Sequence, residues 1–332
     1  MKKLLLLLLC VPLIVSGQVQ QLDAIIQDDA SNFLEAYFAP ISESFGAGLN
    51  NGWYNTAKPH KLGGFDVTLT LNAVHVPTTM LNFDPNALEG SNFTGESTPT
   101  ILGEGEGSTI TYDIPNFDPV EFTMPHQGSL KKSLIPVPMI NAGLGLVKET
   151  EIDFRYLPTY DFDMGFGGEG SVGLWGIGIK HDLLQWIPVA GDAIPISLSI
   201  QAGHTKFNTS FSIENPEPDP SSSVNQDISM DVNATTVNLI LSKKLLMLTA
   251  YAGIGYNSSV TTFNAETESF YLGVDASNSI QMNIPQEIKF ESQNEMRTNI
   301  GLRLNLAVIA IQANHTFSKY PVTTFGVGIS VR

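Results

Sequence analysis

Apolar and polar residues alternate along most of this chain. Phe65-Asp66-Val67-Thr68-Leu69-Thr70-Leu71-Asn72-Ala73 carries apolar side chains at every second position. From Met296 to Leu306 one set is Met296, Thr298, Ile300, Leu302, Leu304 and Leu306. The other is Arg297, Asn299, Gly301, Arg303 and Asn305. Leu246, Leu248, Ala250, Ala252, Ile254 and Tyr256 alternate with Thr249, Tyr251, Gly253 and Gly255. At the close, Phe325, Val327, Ile329 and Val331 alternate with Gly326, Gly328 and Ser330. A period of two places one set on each face of a strand. Sandwich strands are shorter, with turns every 8–12 residues or so. Segments of about ten residues, apolar on one face and polar on the other, fit strands that cross a membrane.

The connections fall into two kinds. Short or moderate ones are Val147-Lys148-Glu149-Thr150, residues 182–194, Ser242-Lys243-Lys244-Leu245 and Asn305-Leu306-Ala307. Long polar ones are 77–133, 159–169, 214–226 and 264–293, with Tyr320-Pro321 as a tight exception. Outer-membrane barrels have short periplasmic turns and longer outer loops. Strands are predicted at 63–76, 134–146, 151–158, 170–181, 195–213, 227–242, 246–263, 294–305, 308–318 and 322–332. The fold class is therefore all-β: a transmembrane antiparallel up-and-down β-barrel of ten strands, within a range of 10–14, with a short N-terminal helical segment. A hairpin within 100–125, from Thr109-Ile110-Thr111-Tyr112 and Val120-Glu121-Phe122-Thr123, would raise the count to twelve.

The N-terminal region divides in two. Lys2 and Lys3, the apolar run Leu4–Val15 and Val15-Ser16-Gly17 read as a signal peptide over 1–17, with the mature chain starting at Gln18. Cys10 lies inside the apolar run, ahead of Val11-Pro12, too early for a lipid-attachment site, and it is the chain's one cysteine. Residues 18–62 differ from the barrel at 63–332. Asp29 caps a predicted helix with Ala30, Phe33, Leu34 and Tyr37 on one face, and Pro40 stops it. Gly46, Gly48 and Asn50-Asn51-Gly52 then suggest a turning path. The helix either packs under the barrel mouth or enters the lumen as a plug, with Phe33, Leu34 and Tyr37 as its packing residues.

Charge narrows the function. The chain has 17 basic and 33 acidic residues, a net charge of -16, and loss of Lys2 and Lys3 takes it to -18. No basic footprint for nucleic acid exists. Residues 84–121 hold eight acids and no Lys or Arg, which predicts a long acidic loop. Glu151, Asp153, Arg155, Lys180, Arg297 and Arg303 are expected to face the lumen, because a Lys or Arg at the lipid midplane costs roughly 2–4 kcal/mol. They form either a salt network that fills the lumen or a selectivity ring. Trp175 and Trp186 are expected on the lipid side.

Several motifs fail on context. Gly165-Phe166-Gly167-Gly168-Glu169-Gly170 matches GxGxxG, but a strand pattern follows where nucleotide binding needs a helix. Asp161-Phe162-Asp163-Met164-Gly165 resembles the start of a calcium loop, yet Val172 stands where the twelfth-position Glu belongs. His75, His126, His181, His204 and His315 are scattered, with no GxSxG or HExxH. No catalytic, cofactor-binding or metal-ligating set is picked out, and the chain is read as a non-enzyme without cofactor.

A resemblance adds to this. Asp29–Leu34 through Pro40, Gly48-Leu49-Asn50-Asn51-Gly52-Trp53-Tyr54-Asn55-Thr56-Ala57-Lys58, Gly63-Gly64-Phe65-Asp66, His181–Pro188 and Gly326–Arg332 resemble a Bacteroidota outer-membrane barrel family of uncharacterised function. The chain is more distantly similar to long-chain fatty-acid transporters, in which an N-terminal hatch precedes a fourteen-stranded barrel. The strand pattern places the chain in the cell outer membrane, in contact with its lipid, and the N-terminal segment and acidic loops lead to two functional readings. One is a channel or transporter for a small or hydrophobic molecule. The other is a non-transporting barrel that displays loops or docks a membrane-protein partner in a secretion or surface-protein complex.

Overall fold

The computed structural model describes residues 27–113, 119–124, 134–165, 168–187, 195–216, 223–265, 270–272, 280–282 and 287–331. The expected signal peptide, His126 and Phe166-Gly167 lie outside them. Helix α1 spans Gln27–Asn50. The barrel strands are β1 (Phe65–His75), β2 (Leu134–Gly145), β3 (Thr150–Gly165), β4 (Gly168–Asp182), β5 (Ser197–Pro216), β6 (Ser223–Leu245), β7 (Leu248–Ala265), β8 (Glu287–Leu306), β9 (Ile309–Phe317) and β10 (Val322–Val331).

Each strand pairs antiparallel with its chain neighbour, and β10 pairs back on β1 from Phe65↔Val331 to Val74↔Val322. The ring of ten is thus closed. Closure leaves no strand edge, which hydrocarbon would not tolerate. The register puts apolar side chains level on the outside. Leu69 lies opposite Val327 and Ile140, Ile140 opposite Tyr156, and Tyr156 opposite Trp175. These five are 44–62% exposed. On the far side Leu239 pairs with Ile254, both exposed. A continuous apolar belt of this kind is the surface of a barrel in lipid.

One end of the barrel, the turn end, carries tight turns with positive φ at Lys148, Glu149, Leu246 and Ala307. The other, the loop end, is where the segment 76–133 joins β1 to β2. Here the sequence expectations need correction. The hairpin Thr109–Tyr112 with Val120–Thr123 exists, but it pairs with Phe93–Gly95 in a separate sheet, so the barrel stays at ten strands. Residues 159–165 and 214–216, expected as loop, continue β3 and β5. Pairing satisfies backbone groups beyond the membrane as well as inside it, so β5, β6 and β8, at 20, 23 and 20 residues, outrun the 9–11 or so needed to cross.

Pro40 does not stop the helix; it is buried inside α1. A proline there removes one backbone bond, at about 3 kcal/mol. Residues Ser44–Asn50 beyond it are all buried. Burying Phe45 and Leu49, at about 1.5–3 kcal/mol each, offsets the cost. Ser42 and Ser44 also bond back to the carbonyls of Phe38 and Pro40, at 3.3 and 2.5 Å. Helix α1 touches β1, β2, β5, β6, β7 and β8, strands spread around the ring, so it stands inside the barrel and not under its mouth.

Leu69→Arg tests the belt. It is expected to lower stability in lipid vesicles by roughly 2–4 kcal/mol, read from reversible denaturant unfolding. An unchanged midpoint would place Leu69 outside the hydrocarbon.

Candidate functional site: the seat of the threaded segment

The interior has two layers. Toward the loop end it is apolar: Phe33, Tyr37, Phe45 and Leu49 of α1 pack with Val74, Val137, Leu174, Phe207, Met230 and Val232 of the wall. Phe33 meets Phe83 and Phe93, with ring centroids 5.3 and 4.6 Å apart, so the segment after β1 folds over the start of the helix. Phe38 rests on Phe263 and Phe45 stacks on Phe207. Burial pushes the Tyr37 phenol up to about 12, so it stays neutral. Leu34 is only half-buried, while Phe33 and Tyr37 are buried, so the anchoring face is narrower than the spacing suggested.

Toward the turn end the interior is polar. All six expected lumen residues are buried there: Glu151, Asp153, Arg155, Lys180, Arg297 and Arg303. Their bonds are of two kinds. Lys180 pairs with Glu151 at 2.6 Å, and Glu151 also takes the His60 backbone N–H at 2.6 Å and lies 2.8 Å from His60 Nδ1. The arginines grip amide oxygens instead. Arg155 donates to the carbonyls of Leu49 and Asn51, both at 2.5 Å, and to Asn141 Oδ1 at 2.9 Å. Its guanidinium lies 3.7 Å from the centre of the Trp53 ring. Arg297 donates to Asn238 Oδ1 and, at 2.8 Å, to Asn51 Oδ1. Arg303 donates to Asn55 Oδ1 and Asn305 Oδ1. Helix C-termini present carbonyls with partial negative charge, and Arg155 meets them with a fixed, planar cation.

The residue that spacing did not single out is Asn51. Its carbonyl accepts from Arg155 and Asn72, its Oδ1 from Arg297 and Thr316, and its Nδ2 donates to Ala47. Gly52 follows with φ of 76° and turns the chain down the lumen. Below it, wall glycines make room. A Cβ on Gly203 would lie 2.4 Å from Trp53, and one on Gly253 would lie 2.3 Å from the Tyr54 hydroxyl. Ser199 and Ser242 bond Ala57, and Gly63 and Gly64 join Gly145 at the turn end. A cavity of about 20 Å³ remains beside Trp53, Asp66, Asp153 and Lys180, space for about one water.

On the outside, His75 and His315 both reach Thr323, at 3.1 and 3.0 Å. Trp186 bonds His181 at 2.9 Å, and Trp175 lies edge-on to His204. Both tryptophans are exposed on the outer face.

Two tests follow. Asn51→Leu strands donors of Arg297 and Thr316, which should cost about 2–4 kcal/mol in denaturant unfolding. Gly203→Val should displace Trp53, seen as a red-shifted emission when Trp175 and Trp186 are changed to Phe. An unmoved spectrum would show that Trp53 does not rest on Gly203.

Similar solved structures are barrels. The outer membrane protease OmpT from Escherichia coli matches 85% of this chain and 99% of its own, at 11% identity and a TM-score of 0.37. The translocator domain of autotransporter NalP from Neisseria meningitidis matches 81% and 88%, at 12% identity and 0.29. The outer membrane protein OpdK from Pseudomonas aeruginosa matches 80% and 98%, at 8% identity and 0.11. Similarities of this size assign no activity. The reading of the chain as a non-enzyme is corrected: an outer membrane protease is among the similar structures, and at 11% identity it establishes neither an enzyme nor a non-enzyme. No curated protein matches the chain. A family profile matches residues 1–331, and the chain belongs to that family, the Family of unknown function (DUF6588).

Proposed function

We propose that this is an outer-membrane barrel held shut by its own N-terminal segment, and that its working surface is the loop-end face. There it displays loops or docks a membrane-protein partner of the cell envelope. The observation that carries this reading is the occupied interior: α1 and residues 51–62 run through it, bonded to the wall from Asn72 to Ser242. Phe83, Phe93 and Ile101 of the segment after β1 cover the start of the helix, and the same segment is acidic, with Asp84, Glu89, Glu96, Glu104, Asp113 and Glu121 exposed. An acidic face suits a cationic protein surface by charge complementarity.

A second reading has one observation in its favour. The loop-end half of the lumen is aromatic and apolar, as a route for a small hydrophobic molecule requires. The similarity to hatch-bearing fatty-acid transporters belongs here, although ten strands replace their fourteen.

Planar-bilayer conductance separates the two. The wild type should carry no sustained current, and deletion of residues 27–58 should open the pore. The double substitution Phe33→Asp with Leu34→Asp disturbs only the apolar half. On the first reading it stays closed, because the arginines still hold residues 49–55. Steady current through the wild type would overturn the occluded reading, and current through the double variant would favour gated transport.

A further inference from the structure

The direction in which the chain passes through the barrel is unexpected. A segment that precedes β1 could sit wholly at the turn end, because β1 itself begins there, where Gly145 bonds Gly63 and Gly64. Instead, the start of α1 is at the loop end. Phe33 packs on Phe83 and Phe93, and Tyr37 O accepts from Ile101 N at 3.2 Å. Those partners all lie in the segment after β1. Phe38 rests on Phe263, close to the loop-end limit of β7 at Ala265. Further on, Gly48 abuts Val74 and Val137, near the loop-end limits of β1 and β2. Trp53 then lies on Gly178 and Gly203, Ala57 on Ser199 and Ser242, and His60 on Glu151 and Ser330. Each step is nearer the turn end. The chain therefore descends the whole lumen, turns at residues 61–64, and returns as β1.

We propose that, in the cell, the start of α1 is exposed on the outer surface and the chain threads the barrel from outside to inside before its first strand. This rests on the outer-membrane reading, with short turns toward the periplasm. It makes the N-terminal segment a translocated element. Anything joined ahead of Gln27 would be delivered to the cell exterior, and the loop-end docking face includes the first turns of α1 beside the acidic segment 77–124. The route is locked at its inner end, where Asn51, Asn55 and Ala57 are bonded to the wall. A partner that engages the outer end thus meets a helix anchored below.

Single-cysteine labelling tests it, with the chain's one cysteine removed as Cys10→Ala. Three exposed positions serve: Asn32→Cys at the start of α1, Glu89→Cys in the segment after β1, and Lys61→Cys at the turn end. Cells are treated with a membrane-impermeant maleimide, intact or permeabilised. Asn32→Cys and Glu89→Cys should label equally well in both states, and Lys61→Cys only after permeabilisation. If Glu89→Cys labels in intact cells and Asn32→Cys does not, the threading is overturned and the barrel orientation stands. If Lys61→Cys labels in intact cells and Glu89→Cys does not, the orientation fails, and the inference with it.

Discussion

Hydrocarbon offers no partner to a backbone N–H or C=O, and each one left open there costs several kcal/mol. The pairing of β10 with β1 removes that cost for the whole sheet. It also determines much else. Antiparallel closure of an up-and-down sheet requires an even number of strands, so both ends of the barrel segment fall at the turn end. It fixes the register, because a one-residue slip would turn the Leu69–Val327–Ile140 belt inward. It also leaves an enclosed interior that must be filled or wet.

How that interior is filled follows from the same alternation. Below the apolar loop-end layer, the positions that do not face lipid are polar, among them Thr70, Asn72, Arg155, Gln201, Asn238 and Arg303, and all are buried. Buried polar groups need partners, and the wall alone does not supply them all. The backbone of residues 48–57, having left helix geometry or reached its end, carries spare carbonyls and amides. Wall and segment satisfy each other: Arg155 takes Leu49 and Asn51, Asn72 takes Gly48, and Ser199 takes Ala57. Such a seat is specific because neither side is satisfied without the other. A buried arginine retains its charge, so removing its partner would leave an unpaired cation.

The outer architecture was legible in the sequence because its cause is local. Period-two alternation sets the face of every strand, and the predicted strand at 134–146 differs from Leu134–Gly145 by one residue. Where alternation continued into water, as at Tyr160 and Asp161, polarity was read as loop although pairing went on. The inward direction of Glu151, Asp153 and Arg155 could be read, but what they touch could not. Asn141 and Asn238 match no motif, and only the register of the sheet and its curvature bring them to Arg155 and Arg297. Pro40 misled for a related reason: helix propensity is a weak local preference, and the burial of Phe45 and Leu49 is set by distant strands.

The two layers of the interior hold the segment differently. In the loop-end half, α1 is held mainly by aromatic and aliphatic contacts, which are non-directional, with the Ile101–Tyr37 backbone bond and the Glu43–Lys319 ion pair at 2.7 Å beside them. In the turn-end half the contacts are charge-assisted bonds with narrow geometry, stronger than neutral ones by about a factor of two. Pro40 lies between the loop-end start of α1 and its gripped end, at the point where the ladder of helix bonds is interrupted. The directional grip of Arg155 and Arg297 thus falls on residues 49–51, at the far end of the helix from its aromatic contacts. Asn51 couples the two grips, because Arg155 bonds its backbone carbonyl and Arg297 its side-chain oxygen.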